Sequence, residues 1–236
     1  MKFARDMVGM TLTLIVAISG SSAQPNATVA VSMRLSFPKA ATRHSAPSAV
    51  LWLKPLQDTS PTPFLPEHRY SLVQKNRMFK PHLLIIPVGS VVQFPNADPF
   101  FHNVFSLFDG KRFDLGLYEA GSTKSVTFSR EGVSYIFCNI HPEMSAVILT
   151  LSTALYAEAD PGGAFRLASV PAGDYDLHIW IEGVAQPDLN RMTRRVHLEP
   201  GSGDLGSIPV PAALLKPPTH TNMFGQSYDR DVKPTY

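Results

Sequence analysis

"VSYIFCNIHPEMSAVILTL" runs from Val133 to Leu151 and reads as a strand, a short link and a second strand. Val133–Phe137 is rich in β-branched and aromatic residues, and Ser145–Leu151 is close to a continuous apolar run. Runs of that length suit strands buried in a β-sandwich. The link carries the only cysteine of the chain, Cys138, followed at three-residue steps by His141 and Met144. A thiol, an imidazole and a thioether in one short loop are ligands for soft and borderline metal ions.

The same grammar extends outward. Upstream lie short β runs at Tyr70–Gln74, His82–Ile86, Ser90–Phe94, His102–Phe105 and Thr123–Phe128, divided by Gly and Pro punctuation such as Pro87/Gly89, Pro95-Asn96 and Gly121. Further upstream, "TVAVSMRLS" places Val29, Val31, Met33 and Leu35 on one face of a strand, and "AVLWLK" (Ala49–Lys54) is a second short run. After Tyr156, Asp160-Pro-Gly-Gly and Pro171-Ala-Gly-Asp mark turns around strand runs in which Tyr175, Leu177, Ile179 and Ile181 alternate. "TRRVHLEPG" adds another strand. No stretch of 12 or more residues has a helical period. The expected class is all-β, with an irregular Pro-rich tail over residues 212–236 that Phe224, Tyr228 and Tyr236 could drape over a domain.

The N-terminus has Lys2 and Arg5, then the uncharged apolar run Met7–Ile18, then Ser21-Ser22-Ala23. That is the layout of a cleaved secretory signal over residues 1–23, and the run is short for a bilayer span. Periplasmic or secreted location follows, with no membrane span. Loss of residues 1–23 removes Lys2, Arg5 and Asp6 and takes the formal charge from +2 to +1. So balanced a charge gives no footprint for nucleic acid.

Export puts Cys138 where cysteines normally pair, and a single cysteine has no partner within the chain. The residue is therefore an inert core thiol, a link between chains, a nucleophile with a histidine base, or a metal ligand. A zinc site would suit Cys and His but not a methionine. No His-x-His pair occurs, which excludes a multicopper oxidase cluster. Two histidines, one cysteine and a weak axial methionine are the ligands of a blue copper electron-transfer site. The second histidine has to come from a distant strand, and His102 stands at the head of a β run in "FPNADPFFHNVFS".

Residues 70–151 resemble the cupredoxin family, in its short-loop, amicyanin- or plastocyanin-like form. The motifs that carry the likeness are "MFKPHLLIIPVGSVVQFPN", "HNVFS", "FDLGLY" and "VSYIFCNIHPEM". The resemblance implies a Greek-key sandwich with His102, Cys138, His141 and Met144 as ligands of one mononuclear type 1 copper ion. Asn103 would tie the ligand loop to its neighbouring strand. Phe137, Phe100 and Phe101 would shield the site. His141 would reach through an apolar patch of Pro99, Phe101, Ile140 and Pro142, the exit for the electron. Glu143 departs from the pattern by placing a carboxylate beside the axial ligand.

"YAEADPGGAFRLASVPAGDYDLHIW" resembles a carboxypeptidase-regulatory, transthyretin-like module, which normally begins with two more strands. Those would be the early runs, so that residues 25–56 and 153–211 form one small sandwich into which a cupredoxin domain over residues 62–151 is inserted. The cupredoxin resemblance implies a one-electron carrier between redox partners, such as a c-type cytochrome or a dehydrogenase, and not an enzyme. The alternative is a copper delivery, sensing or surface-binding protein without redox turnover. The eight histidines and eight methionines are dispersed, which disfavours it.

Overall fold

The computed structural model describes residues 27–38, 46–57, 64–66, 68–107, 110–216 and 222–227. The signal segment proposed for residues 1–23, and Tyr228 and Tyr236 of the tail, lie outside them. Among the described residues no helix is long and apolar enough to cross a membrane.

The chain is built from strands: β1 (Thr28–Ser36), β2 (Ala49–Pro55), β3 (Tyr70–Ser71), β4 (Val73–Gln74), β5 (Phe79–Lys80), β6 (Leu83–Pro87), β7 (Ser90–Pro95), β8 (His102–Ser106) and β9 (Phe113–Tyr118). There follow β10 (Thr123–Phe128), β11 (Gly132–Phe137), β12 (Ser145–Leu151), β13 (Tyr156–Glu158), β14 (Ala164–Pro171) and β15 (Gly173–Ile181). One helix, α1 (Gln186–Met192), precedes β16 (Arg194–Leu198) and β17 (Asp204–Pro209).

Two sheets come from the ends of the described chain. β1 lies between β14 and β17, and β2 lies between β13 and β15, with β16 at the far edge. Every second residue of β1 is buried, Val29, Val31, Met33 and Leu35, as its alternation dictates. They pack with Leu51, Leu53, Leu177 and Ile179 of the second sheet in one core. The early strands therefore pair with segments that follow the metal loop, and not with the β runs next to them in sequence.

The middle of the chain forms two larger sheets, β6-β12-β11-β8-β9 and β10-β7-β3, and the two-stranded sheet β4-β5. Connections cross between the larger two from β7 to β8, from β9 to β10 and from β10 to β11. Their core holds Ile86, Phe94, Val104, Ile136 and Ile148.

β12 joins the two cores. Ala146 and Ile148 face the middle sandwich, whereas Val147, Leu149 and Leu151 belong to the outer core. Burial on both faces explains why this strand reads as a nearly continuous apolar run. The sheets thus stack in four layers. Trp180 of β15 is fully buried at the inner junction and its Nε1 donates to the Tyr135 hydroxyl at 3.1 Å. Trp52 stacks on His178 with ring centroids 5.2 Å apart, and Lys54 pairs with Glu131 at 2.7 Å.

Candidate metal centre

His102 is the first residue of β8, a strand buried along its whole length. β8 is hydrogen-bonded between β9 and β11, so the ring at its head sits beside the end of β11. Cys138 directly follows that end. The chain then turns, with Met144 N donating to His141 O at 3.1 Å and Cys138 N donating to Met144 O at 3.4 Å. Pro142 occupies the turn position that its fixed φ favours. The loop is pinned to β8 by Asn103, whose Oδ1 accepts from Asn139 N at 3.2 Å and whose Nδ2 donates to Asp114 Oδ1 at 2.7 Å.

This frame brings three donor atoms together. Cys138 Sγ lies 3.8 Å from His102 Nδ1 and 3.5 Å from His141 Nδ1, and the two nitrogens are 3.1 Å apart. A triangle with those sides has a circumscribed radius of about 2.0 Å, close to the ~2.0–2.3 Å at which imidazole nitrogen and thiolate sulfur sit from a borderline metal ion. Among the described residues no other group of three His, Cys, Asp or Glu side chains is so placed. Met144 is fully buried in the same core as Cys138. Two imidazoles, a thiol and a buried methionine in the same loop fit one mononuclear type 1 copper ion.

Electrostatics agree with a ligand cluster. Burial pushes the Cys138 thiol up, which a bound cation would reverse, since a coordinating thiol is deprotonated outright. Burial, followed by the neighbouring His102, pulls the His141 imidazole down to about 4. His141 is therefore neutral near pH 7, with a lone pair available to a metal.

Three expectations for the surroundings change. His141 does not reach through the surface: it is 3% exposed and lies under its rim. Pro99 and Pro142 are exposed, Phe101 is 51% exposed and Ile140 is half-buried, while Arg77 lies over the Phe100 ring at 5.3 Å. Phe101 consequently belongs to the rim and does not shield the site. Phe100 lies against the rings, 5.2 Å from His102 and 5.7 Å from His141 between centroids, and Phe137 packs on Phe105. The tail docks through its backbone, with Met223 N donating to Asn139 Oδ1 at 2.9 Å, while Phe224 is 71% exposed.

Two functional neighbours are silent in the sequence pattern. Asp98 Oδ2 accepts from His102 Nε2 at 2.9 Å. Asn96 braces the same loop, with Nδ2 donating to Phe100 O at 2.8 Å and Oδ1 accepting from Asp98 N at 3.1 Å. "NAD" before Pro99 has the composition of an ordinary turn, and only folding shows where its side chains point.

No family model matches the chain, and no curated protein matches it. Among solved structures it is similar to a purple cupredoxin from Nitrosopumilus maritimus, at 24% identity over 35% of this chain and 99% of that one, with a TM-score of 0.32. A copper-containing nitrite reductase from Thermus scotoductus SA-01 is similar at 24% identity and a TM-score of 0.34, over 41% of this chain. That match spans only 27% of the reductase. A reduced variant of amicyanin is 18% identical over 43% of this chain and 98% of its own, with a TM-score of 0.34. At such distances the chemistry of the site rests on its own geometry.

Proposed function

We propose that the chain is a type 1 copper protein that carries single electrons between redox partners in an exported compartment, and that it is not an enzyme. The observation that carries this reading is the convergence of His102 Nδ1, Cys138 Sγ and His141 Nδ1 at mutual distances of 3.1–3.8 Å in a buried pocket. The ion supplies reversible one-electron chemistry. The chain supplies a ligand set held by β8, β11 and a hydrogen-bonded loop, so that neither oxidation state can rearrange it far.

Burial weighs against the rival readings. A nucleophilic cysteine needs access and thiolate character, whereas Cys138 is fully buried and its thiol is pushed up by burial. A delivery protein has to hand its ion over, and a cluster with His102 and Cys138 at 0% exposure and His141 at 3% opposes ligand exchange. Electrons pass through a thin protein layer without such access. The partly exposed apolar residues Pro99, Phe101, Ile140 and Pro142 flank the ligand segments in sequence and suit brief redox encounters with a c-type cytochrome or a dehydrogenase. In this reading β1, β2 and β13–β17 are a transthyretin-like module that carries the copper-binding sandwich as an insertion, supported by the pairing of β1 with β14 and of β2 with β15.

Mixing the reduced, copper-loaded protein with an oxidised small c-type cytochrome tests the reading. Cytochrome reduction should follow at a rate that rises with protein concentration, and copper-free protein should be inert. A protein that cannot be cycled without releasing its ion would reject it.

A further inference from the structure

Asp98 is 5% exposed and His102 is fully buried, and the pair is joined at 2.9 Å. A carboxylate in such a place has to have its charge compensated. Oδ1 accepts from Asn76 N at 2.6 Å, and Oδ2 accepts from Arg77 N at 3.0 Å as well as from the imidazole. Three donors converge on one side chain, the environment of an ionised, acceptor-only carboxylate.

The donors come from a turn formed at a conformational cost. Asn76 and Arg77 are the two central residues of the tight hairpin between β4 and β5, closed by Lys75 N to Met78 O at 2.9 Å and Met78 N to Lys75 O at 3.2 Å. Their φ angles are +56° and +55°. Two left-handed residues in succession define a turn that favours Asn-Gly, and an arginine in the second place is uncommon. Strained backbone persists where its surroundings over-determine it. Here the strain aims two consecutive amides at Asp98, and Asn96 fixes the carboxylate's own backbone from the other side.

We propose that Asp98 is a positioning and tuning residue of the copper site, which fixes the ring and tautomer of His102 and holds the reduction potential down. This deepens the copper reading and rests on it. A proton held on Nε2 by Asp98 leaves the Nδ1 lone pair facing Cys138 and His141. A hydrogen-bonded carboxylate also raises the basicity of its imidazole. Together with the thiolate it adds fixed negative charge near the ion, and that charge favours the more positive oxidation state.

The test compares the full-length, copper-loaded wild type with Asp98→Asn by spectroelectrochemical titration. At a fixed applied potential the variant's reduced-to-oxidised ratio should rise at least tenfold, equivalent to ~59 mV or more in midpoint for one electron. Its copper(II) affinity should fall roughly 10- to 100-fold. Glu143→Gln removes an equal charge from the exposed rim, and its shift should be smaller. An unchanged potential in Asp98→Asn, or equal shifts in the two variants, would overturn the proposal. A readout that needs neither variant nor metal is the tautomer of His102 in copper-free wild type, from ring nitrogen-15 shifts at mildly alkaline pH. The proton should reside on Nε2, and a ring protonated on Nδ1 would overturn the assignment. A wild type with no type 1 copper spectrum would defeat the copper reading and the tuning role together, while the tautomer result would still decide the positioning role.

Discussion

His82 Nε2 donates to Glu182 Oε1 at 2.7 Å, tying the metal-binding sandwich to the end of β15. Its Nδ1 faces Ser145 O at 3.2 Å, so both ring nitrogens meet acceptors, as an imidazolium requires. The Glu182 hydrogen bond, against burial, raises the His82 pKa above 6.5. The His82 hydrogen bond lowers the Glu182 carboxyl below its ordinary value. A raised histidine contributes stability that is complete below about 6.5 and fades as pH climbs through its folded value. A lowered carboxyl contributes stability that is complete above its ordinary range and is lost as pH falls. His82→Gln should therefore destabilise the copper-free protein most at mildly acidic pH and progressively less as pH climbs through the folded value. His82 is 44% exposed, so the effect should stay within about 1 kcal/mol. Urea midpoints across that pH range check it, and a pH-independent difference would count against the ion pair.

Met144 is the weak member of the proposed ligand set. Leucine conserves volume in this fully buried position, at less than about 1.5 kcal/mol. Met144→Leu should keep one copper per chain and raise the reduction potential, since losing a soft axial donor tunes the site without dismantling it. Copper stoichiometry and cyclic voltammetry measure both. Complete loss of copper would mean that the thioether is structural to the site.

Asn103 is 2% exposed and holds the ligand loop to β8. Asn103→Ala leaves Asn139 N and the Asp114 carboxylate without its amide, a loss of about 1–3 kcal/mol. Copper affinity should fall roughly 10- to 100-fold in competition with a chelator. A variant with lowered stability and unaltered affinity would show that Asn103 supports the fold alone.

Trp180 links the two cores through packing and its bond to Tyr135. Trp180→Ala should cost about 3–5 kcal/mol. Because β12 serves both cores, the far-ultraviolet signal and the colour of the copper-loaded protein should be lost together on heating. Colour that survives the first transition would show that the sandwiches unfold separately.

Much of this was legible because it is periodic or local. The alternation of Val29, Val31, Met33 and Leu35 is one buried face written out, and Cys138, His141 and Met144 need no fold to be seen side by side. The rest depends on where the chain returns in space. β17 pairs in parallel with β1, but Gly206 interrupts its apolar spacing between Leu205 and Ile208. α1 spans seven residues, too few for a helical period, and its local signs are a proline at its start, Asp188 in its first turn and Arg191 in its last. The amides of Asn76 and Arg77 reach the Asp98 carboxylate from more than twenty residues upstream, a contact that only the folded chain makes. Equally, the composition of "NIHPEM" does not say whether His141 is covered, since its exposure depends on the loops that meet around it.

Whether the chain holds a type 1 copper ion is decided by copper titration of the protein followed by visible absorption and electron spin resonance. Saturation should come at one copper(II) per chain, with an intense blue to green sulfur-to-copper band that bleaches with reductant, returns with oxidant and is lost in Cys138→Ala. A colourless complex, or a band indifferent to the loss of Cys138, would contradict a type 1 site.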